Sequence, residues 1–478
     1  MERLHYPYLT LPSVFYAPLE LEPLDRSTLW IENHSLAEEL NLSKEYLPQI
    51  LETIQGNKRT RIKSVFAQAY AGHQFGHFTM LGDGRAAVVG ELALKDRYLE
   101  IQLKGSGPTP YSRGGDGKAT LKSMLREYLY SEAINGLGIP SSRSLGIIRT
   151  GEEIRRETNE PGAILIRLMQ SHVRVGTFEY ARYFQDHDAL KALFTYCADR
   201  FYPTVMEEEN PVLSFISKVA EKQFDLIAQW MRVGFIHGVM NTDNTSITGE
   251  TFDYGPCAFM NSYEPSTVYS SIDRQGRYAF GNQPNIIAWN MVRLAEALLP
   301  LVDPVEKRAI AKATALIESF ESQWKKTYYG MMLQKIGLPE DHEKGHELVD
   351  SLLSLMSAHG TDYTNTFASL CHDIDPTLTP WSIPAFNAWK KKWTKTIEGS
   401  RTQTSETLKR MQAMNPVIIP RNHWVEKTID AAIHAEGMQA FLEAITPFAS
   451  PYNTPKDSAL LHPPPKAWEA TFKTYCGT

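Results

Sequence analysis

The segment from Gly234 to Pro256, GFIHGVMNTDNTSITGETFDYGP, gathers oxygen-bearing side chains of the kind used in metal-assisted group transfer. Asn244 and Asp253 offer hard oxygen donors that suit magnesium or manganese, and Asp243, beside Asn244, is a carboxylate able to accept a proton. Upstream, Lys104 closes the β-rich run RYLEIQLKG, and Glu127 lies in the helical run ATLKSMLREYLYSEAI. That separation suits a strand ammonium anchored by a helix carboxylate, an arrangement that can hold phosphate oxygens in a partly dry cleft. Arg167 and Arg174, seven residues apart in ILIRLMQSHVRVG, supply guanidinium forks that grip phosphate bidentately if both turn to one cleft. In LGDGRA, Gly82, Gly84 and Arg85 precede a strand, where bare backbone amides can approach phosphate oxygens.

Several nucleotide motifs fail on single positions. Ala87 stands three residues after Gly84, where a dinucleotide fingerprint needs glycine, so a Rossmann enzyme is disfavoured. GGDGKAT imitates a Walker A loop, but Ser112 replaces its first glycine and Ala119 its magnesium-binding hydroxyl residue. His73 and His77 in HQFGH have the spacing of helical metal ligands, yet Gly76 weakens a helix there and no acidic third ligand stands beside them. Setting HGVMNTDN against the kinase pattern His-Arg-Asp-x-x-x-x-Asn puts His237 on the histidine and Asn244 on the metal-binding asparagine. DYGP then puts Asp253 on the metal-binding aspartate, while the position of the kinase base falls on Val239. Valine cannot accept a proton. Either such a protein is inactive or its base has moved, and Asp243 is the nearest candidate.

These residues need a frame. From Ser64 to about Gly138 the pattern predicts strand, glycine turn, strand, strand, helix, the helix burying a stripe of Leu121, Met124, Leu125, Tyr128 and Leu129 with Glu127 off it. SLGIIRTG and AILIRLMQS read as an antiparallel pair joined by the polar loop EEIRRETNEPG. After about Gly176 the chain turns helical, and PVLSFISKVAEKQFDLIAQWMRV places Ile216, Val219, Ala220, Phe224, Ile227 and Trp230 on one face. IIAWNMVRLAEALLPLV and a long charged helix from about Val305 follow. A small β-rich lobe before a larger helical one predicts a cleft between them.

At 478 residues the chain exceeds a single hydrophobic core. Its net charge of -6 offers no basic field for a phosphate backbone, so nucleic acid is not the expected partner. Four cysteines without close spacing, an N-terminus lacking an unbroken apolar stretch, and no expected run of membrane-spanning length predict a cytosolic protein with no membrane partner.

Taken together, AYAGHQFG, LGDGRA, QLKGSGPTPYSRGGDGKA, REYLYSEA, HGVMNTDN, DYGP and GRYAFGNQP resemble the selenoprotein O family of pseudokinase-fold adenylyltransferases. The resemblance implies an α+β, protein-kinase-like bilobal fold with a helical C-terminal extension. Its expected parts are an N-terminal extension over 1–63 packing on the N-lobe, the N-lobe over 64–175, a helical C-lobe over 176–300 and the extension over 301–478. It implies ATP bound in reversed orientation, with magnesium or manganese, so that AMP passes to Ser, Thr or Tyr hydroxyls of proteins, possible self-modification included, and pyrophosphate leaves. Carried over by motif, Gly82, Gly84, Arg85, Lys104, Asp116, Gly117, Arg167, Arg174 and Asp253 become nucleotide contacts, and Glu127 the partner of Lys104. Asn244 and Asp253 become metal ligands and Asp243 the proton acceptor. An ordinary kinase and a non-catalytic ATP-binding scaffold are the alternatives. Where animal members carry selenocysteine near the C-terminus, this chain has Cys476, for which a disulfide to the Cys257 region is a further expectation.

Overall fold

The computed structural model describes residues 4–57, 60, 62–95, 97–184, 186–342, 344–399, 405–434 and 437–475. Among the described residues, nine β-strands occur before residue 170: β1 Tyr16–Pro18, β2 Thr28–Glu32, β3 Phe66–Gln68, β4 Ala71–Gln74, β5 His77–Met80, β6 Ala86–Ala93, β7 Tyr98–Lys104, β8 Arg143–Arg155 and β9 Asn159–Met169. Seven form one antiparallel sheet in the order β1-β3-β6-β7-β9-β8-β2, and β4 pairs with β5 as a separate hairpin. Residues before 64 therefore supply both edge strands of this sheet. They also supply α1 His34–Glu39 and α2 Tyr46–Ile54.

The central strands alternate strictly. Leu99, Ile101 and Leu103 of β7 and Ile164, Ile166 and Leu168 of β9 join one apolar cluster with Leu36, Leu40, Leu47 and Ile50 from α1 and α2. The intervening residues Glu100, Gln102 and Lys104 face the other way, and pairing sets Gln102 opposite Arg167. Successive strand side chains point to opposite faces, so one face is sealed by apolar contact and the other presents a row of polar groups. That polar face meets α3, Leu121–Gly136.

Three sequence expectations change here. The loop between β8 and β9 shrinks to residues 156–158, because most of the polar stretch EEIRRETNEPG continues the two strands. Helix α3 is buried around most of its circumference, Glu127 included, because it lies between the sheet and the helical part of the chain. The long helix from Val305 is two helices, Glu306–Glu318 and Phe320–Lys335.

Beyond residue 170 the chain is mainly helical: α4 Val175–Tyr183, α5 His187–Phe201, α6 Pro211–Val233 and α7 Gln283–Val302 precede the C-terminal helices. α6 carries its predicted stripe entirely in the core and stops at Gly234, whose φ of 76° is the left-handed cap that frees the chain to turn. Between α6 and α7 lie the two short strands β10 Phe235–Ile236 and β11 Ala258–Phe259, which frame the polar segment singled out above. The expectation that no run reaches membrane-spanning length is corrected: Phe280–Val302 is long and apolar enough. Half of it is buried, and α7 packs on α4 and α6. Its buried Asn290 donates to Met240 O at 3.0 Å and Thr245 Oγ1 at 2.9 Å, so an apolar core helix also braces the segment between β10 and β11.

Candidate active site

Three buried charges and one half-buried carboxylate close into a ring. Lys104 Nζ, at the end of β7, donates to Glu127 Oε2 of α3 at 2.6 Å and to Asp253 Oδ1 at 2.5 Å. Arg167 Nη1, from β9, donates to Glu127 Oε1 at 3.0 Å and to the same Asp253 Oδ1 at 2.6 Å. Cations and carboxylates alternate, so each charge has two opposite neighbours and the set is neutral. Burial works against the Asp253 carboxylate, yet Lys104 and Arg167 together hold its pKa well below the usual value. Asp253 has a φ of 59°, uncommon for a residue with a side chain, and its carboxylate keeps 24% exposure. It is the accessible corner of the ring.

A second layer ties in the glycine loop. Arg167 Nη2 donates to Gln102 Oε1, and Gln102 Nε2 to Asp83 Oδ2 at 3.1 Å. Asp83 also accepts from Gln68 N at 3.1 Å and lies 3.6 Å from Arg174 Nη2. Asp83 is the buried residue between Gly82 and Gly84, so the loop is moored by a carboxylate that the glycine pattern concealed. Gly82, at φ 143°, lets the chain run against Tyr111, whose ring a Cβ would meet at 2.3 Å. Arg85 sits in the turn before β6, its carbonyl accepting from Gly105 N at 2.6 Å.

Arg174 links this assembly to the catalytic candidate. Its guanidinium lies over the Tyr70 ring at 3.9 Å, and Nη1 donates to the Asp243 carbonyl at 3.2 Å. Asp243 lies in the turn Thr242–Asn244, and burial pushes its carboxyl up to about 6 against the pull of Arg174. Its Oδ2 accepts a long bond from Gln74 Nε2 at 3.4 Å, while the buried Oδ1 has no hydrogen-bond partner. Arg174 Nη2 and Arg167 Nε are likewise buried donors without hydrogen-bond partners. Unsatisfied guanidinium donors beside an aspartate with a basic-shifted carboxyl suit an oxyanion ligand. Asn244 donates to Val239 O at 3.1 Å, which orients its amide, and Val239 itself is buried.

For a divalent ion, Asn244 and Asp253 are oxygen donors of the right class, and magnesium commonly takes only one or two protein ligands beside water and phosphate. No cluster of three His, Cys, Asp or Glu side chains with metal-binding geometry occurs among the described residues. His73 and His77 lie on a β-hairpin and not on a helix. Phe75 and Gly76, at φ 51° and 86°, form its two-residue turn.

Asp116 and Gly117 make their contacts elsewhere. Asp116 pairs with Arg156 at 2.8 Å on the surface, and Arg156 lowers its pKa. Gly117, at φ 65°, lies so close to Gly107 that a Cβ would stand 2.0 Å from its carbonyl oxygen. Both therefore shape the loop between β7 and α3. Cys257 is a buried free thiol, and Cys476 lies outside the described residues.

Sequence reasoning missed Asp83, Gln102 and Arg126. Gln102 was findable from the alternation in EIQLK. Arg126 donates to Gly255 O at 3.0 Å, Cys257 O at 2.6 Å and Glu426 Oε1 at 2.8 Å, fastening the stretch after Asp253 to the helix Asn422–His434. No local pattern announces that role.

Comparison with known proteins adds an independent line. Residues 4–448 match the family described as protein adenylyltransferase SelO. A protein nucleotidyltransferase YdiU of Geobacillus kaustophilus is 45% identical, with 98% of each chain covered. Proteins of the same name from Shouchella clausii and Bacillus cereus are each 44% identical over 98% of this chain, covering 98% and 97% of their own.

Proposed function

The chain belongs to the protein adenylyltransferase SelO family and is a nucleotidyltransferase, and from that premise we propose that it moves AMP from ATP onto Ser, Thr or Tyr hydroxyls of proteins, releasing pyrophosphate, within a kinase-like arrangement of two lobes. The strand lysine bonded to a helix carboxylate, together with a catalytic segment that follows a long helix, supports that arrangement. The observation that carries the reading is the bond from Arg174 to the main chain of Asp243, which couples the anion-gripping cluster to a carboxylate able to take a proton.

In this reading, phosphate oxygens compete with Asp253 Oδ1 for Lys104 and Arg167. Glu127 keeps both cations, one on each of its oxygens, and so fixes their spacing. Arg174 adds Nη2, which makes no hydrogen bond, and the glycine loop is tied to the same cluster through Asp83. Asn244 and Asp253 would hold magnesium or manganese, which neutralises phosphate charge when bound. Asp243 takes the proton from the acceptor hydroxyl. The acceptor oxygen bonds to the α-phosphorus, the bond to the bridging oxygen breaks, and pyrophosphate carries away the electron pair. Alignment and charge neutralisation dominate such transfers. We place the reaction in the cytosol and include self-modification among its products.

The test is incubation of the protein with ATP labelled at the α- or the γ-phosphate, plus extract, comparing wild type with Asp253→Ala. Label from the α position should appear on protein and γ label in pyrophosphate, both lost in the variant. Protein carrying γ label would replace this reading with an ordinary kinase. Hydroxylamine-stable adducts on mapped hydroxyl residues would identify the acceptor class.

A further inference from the structure

The β4–β5 hairpin packs on the catalytic segment, with Gly72 set against Asp243. A Cβ at Gly72 would stand 2.5 Å from Asp243 Oδ1, and one at Gly176, in the first turn of α4, would stand 1.9 Å from Ala71 O and 3.4 Å from Asp243 Cα. Two glycines thus let the hairpin strand slot between α4 and Asp243. Next to Gly72, three groups form a bracket. His73 Nδ1 bonds Glu179 Oε1 at 2.5 Å, Thr242 Oγ1 donates to Glu179 Oε2, and His73 N donates to Thr242 Oγ1 at 2.7 Å. Glu179 is buried on α4, and the partners it joins are distant in sequence, one on the hairpin and one immediately before Asp243. A buried carboxylate with both oxygens engaged fixes the direction of every bond around it. Because Glu179 accepts the Thr242 hydroxyl proton, the Thr242 oxygen is left to accept the His73 amide. Gln74, the next residue, then falls within reach of Asp243 Oδ2.

We propose that Glu179 and His73 are positioning residues for the transfer step: they clamp the hairpin to Thr242 and thereby fix where the Asp243 carboxylate points. The proposal rests on Asp243 being the proton acceptor, as read above. Neither residue contacts Lys104, Arg167 or Asp253 in the structure, so their effect falls on transfer and not on nucleotide capture. Displacement of a reacting group by about 1 Å costs on the order of 10²-fold in rate, which sets the scale for loss of the clamp.

The experiment compares Glu179→Ala, His73→Ala and Glu179→Gln in the full chain, with kcat and KM for ATP, thermal melting and hydrogen exchange of the hairpin amides. Both alanine variants should lose at least about tenfold in kcat, within that scale, with KM for ATP little changed and faster exchange at residues 72–74. Glu179→Gln can keep both bonds if His73 adopts its other tautomer, so it should recover most of the rate. His73 is partly exposed, so its alanine variant tests the idea even if Glu179→Ala fails to fold. Unchanged kcat in His73→Ala, or a rise in KM for ATP matching the rate loss, overturns the proposal. Asp243→Asn serves as the control: full transfer by that variant defeats the base assignment itself, whereas its loss beside an unaffected His73→Ala defeats only the clamp.

Discussion

Removing the ammonium from the charged ring should expose how tightly it is balanced. In Lys104→Met the apolar stem is kept and the charge lost, leaving Glu127 and Asp253 with Arg167 as their shared cation. The side chains of Lys104 and Glu127 are 8% and 3% exposed, so water cannot replace the missing partner at Glu127, while Asp253, 24% exposed, stays partly hydrated. Breaking a buried pair by deleting one member costs about 3–5 kcal/mol, and the retained Arg167 bonds place this case near the lower bound. A chain of 478 residues unfolds with an entropy of roughly 1 kcal/mol/K on the usual per-residue scale. The melting temperature should therefore fall by about 3 °C, read by calorimetry on nucleotide-free protein. Adding Asp253→Asn restores two opposed charges, Arg167 and Glu127, and should recover at least half of the loss. If the single variant melts at or above wild type, or the double variant melts lower still, the ring is not the neutral unit described, and the competition between Asp253 and phosphate loses its basis.

Two further outcomes follow from other parts of the site and core. Asp243→Asn should lower kcat for AMP transfer by about 10²- to 10⁴-fold, while calorimetric ATP affinity stays near wild type; a matching loss of affinity would make Asp243 a nucleotide contact instead. Lys335 is buried, bonded to Arg232 O and Asn415 Oδ1 at 2.8 Å each, and burial, aided by Arg232, holds its pKa well below 10.5. The unfolded chain then binds more protons than the folded one between the two values, so stability should rise with pH up to the unfolded pKa, by at most about 1.4 kcal/mol per unit. Denaturant midpoints taken from neutral to alkaline pH should show the rise in wild type and a flatter profile in Lys335→Met.

What the sequence disclosed depended on whether a signal is local. Helix α6 and its apolar stripe are set within one stretch of chain, and they stand as read. The two edge strands contributed by the first residues were not legible, because a strand of three to five residues acquires its identity from its partner across the sheet. Glu127, read as the anchor of Lys104, fell off the apolar stripe since that stripe assumes one buried face. Helix α3 has more than one, and the second is where its carboxylate meets two cations.

The residues that escaped notice share one property: each acts by joining segments far apart in the chain. Asp83 joins the glycine loop to β7 and Arg174, Arg126 joins the stretch after Asp253 to a C-terminal helix, and Glu179 joins the hairpin to the catalytic turn. A motif records the groups that meet a ligand, whereas these hold such groups in place, and their partners are chosen by the fold. The same logic explains how the fold accommodates the carboxylates of Asp253 and Asp243. A buried carboxylate must be neutralised, protonated or hydrogen-bonded, so Asp253 takes two cations and Asp243 is shifted toward its neutral form. Binding an anion and a divalent ion would release the first from its cations, while the hairpin clamp holds the second in its direction. On the proposed reading the ring acts on nucleotide capture and the clamp on the direction of Asp243, so variants in the ring and variants in the clamp should show additive losses in kcat/KM when combined.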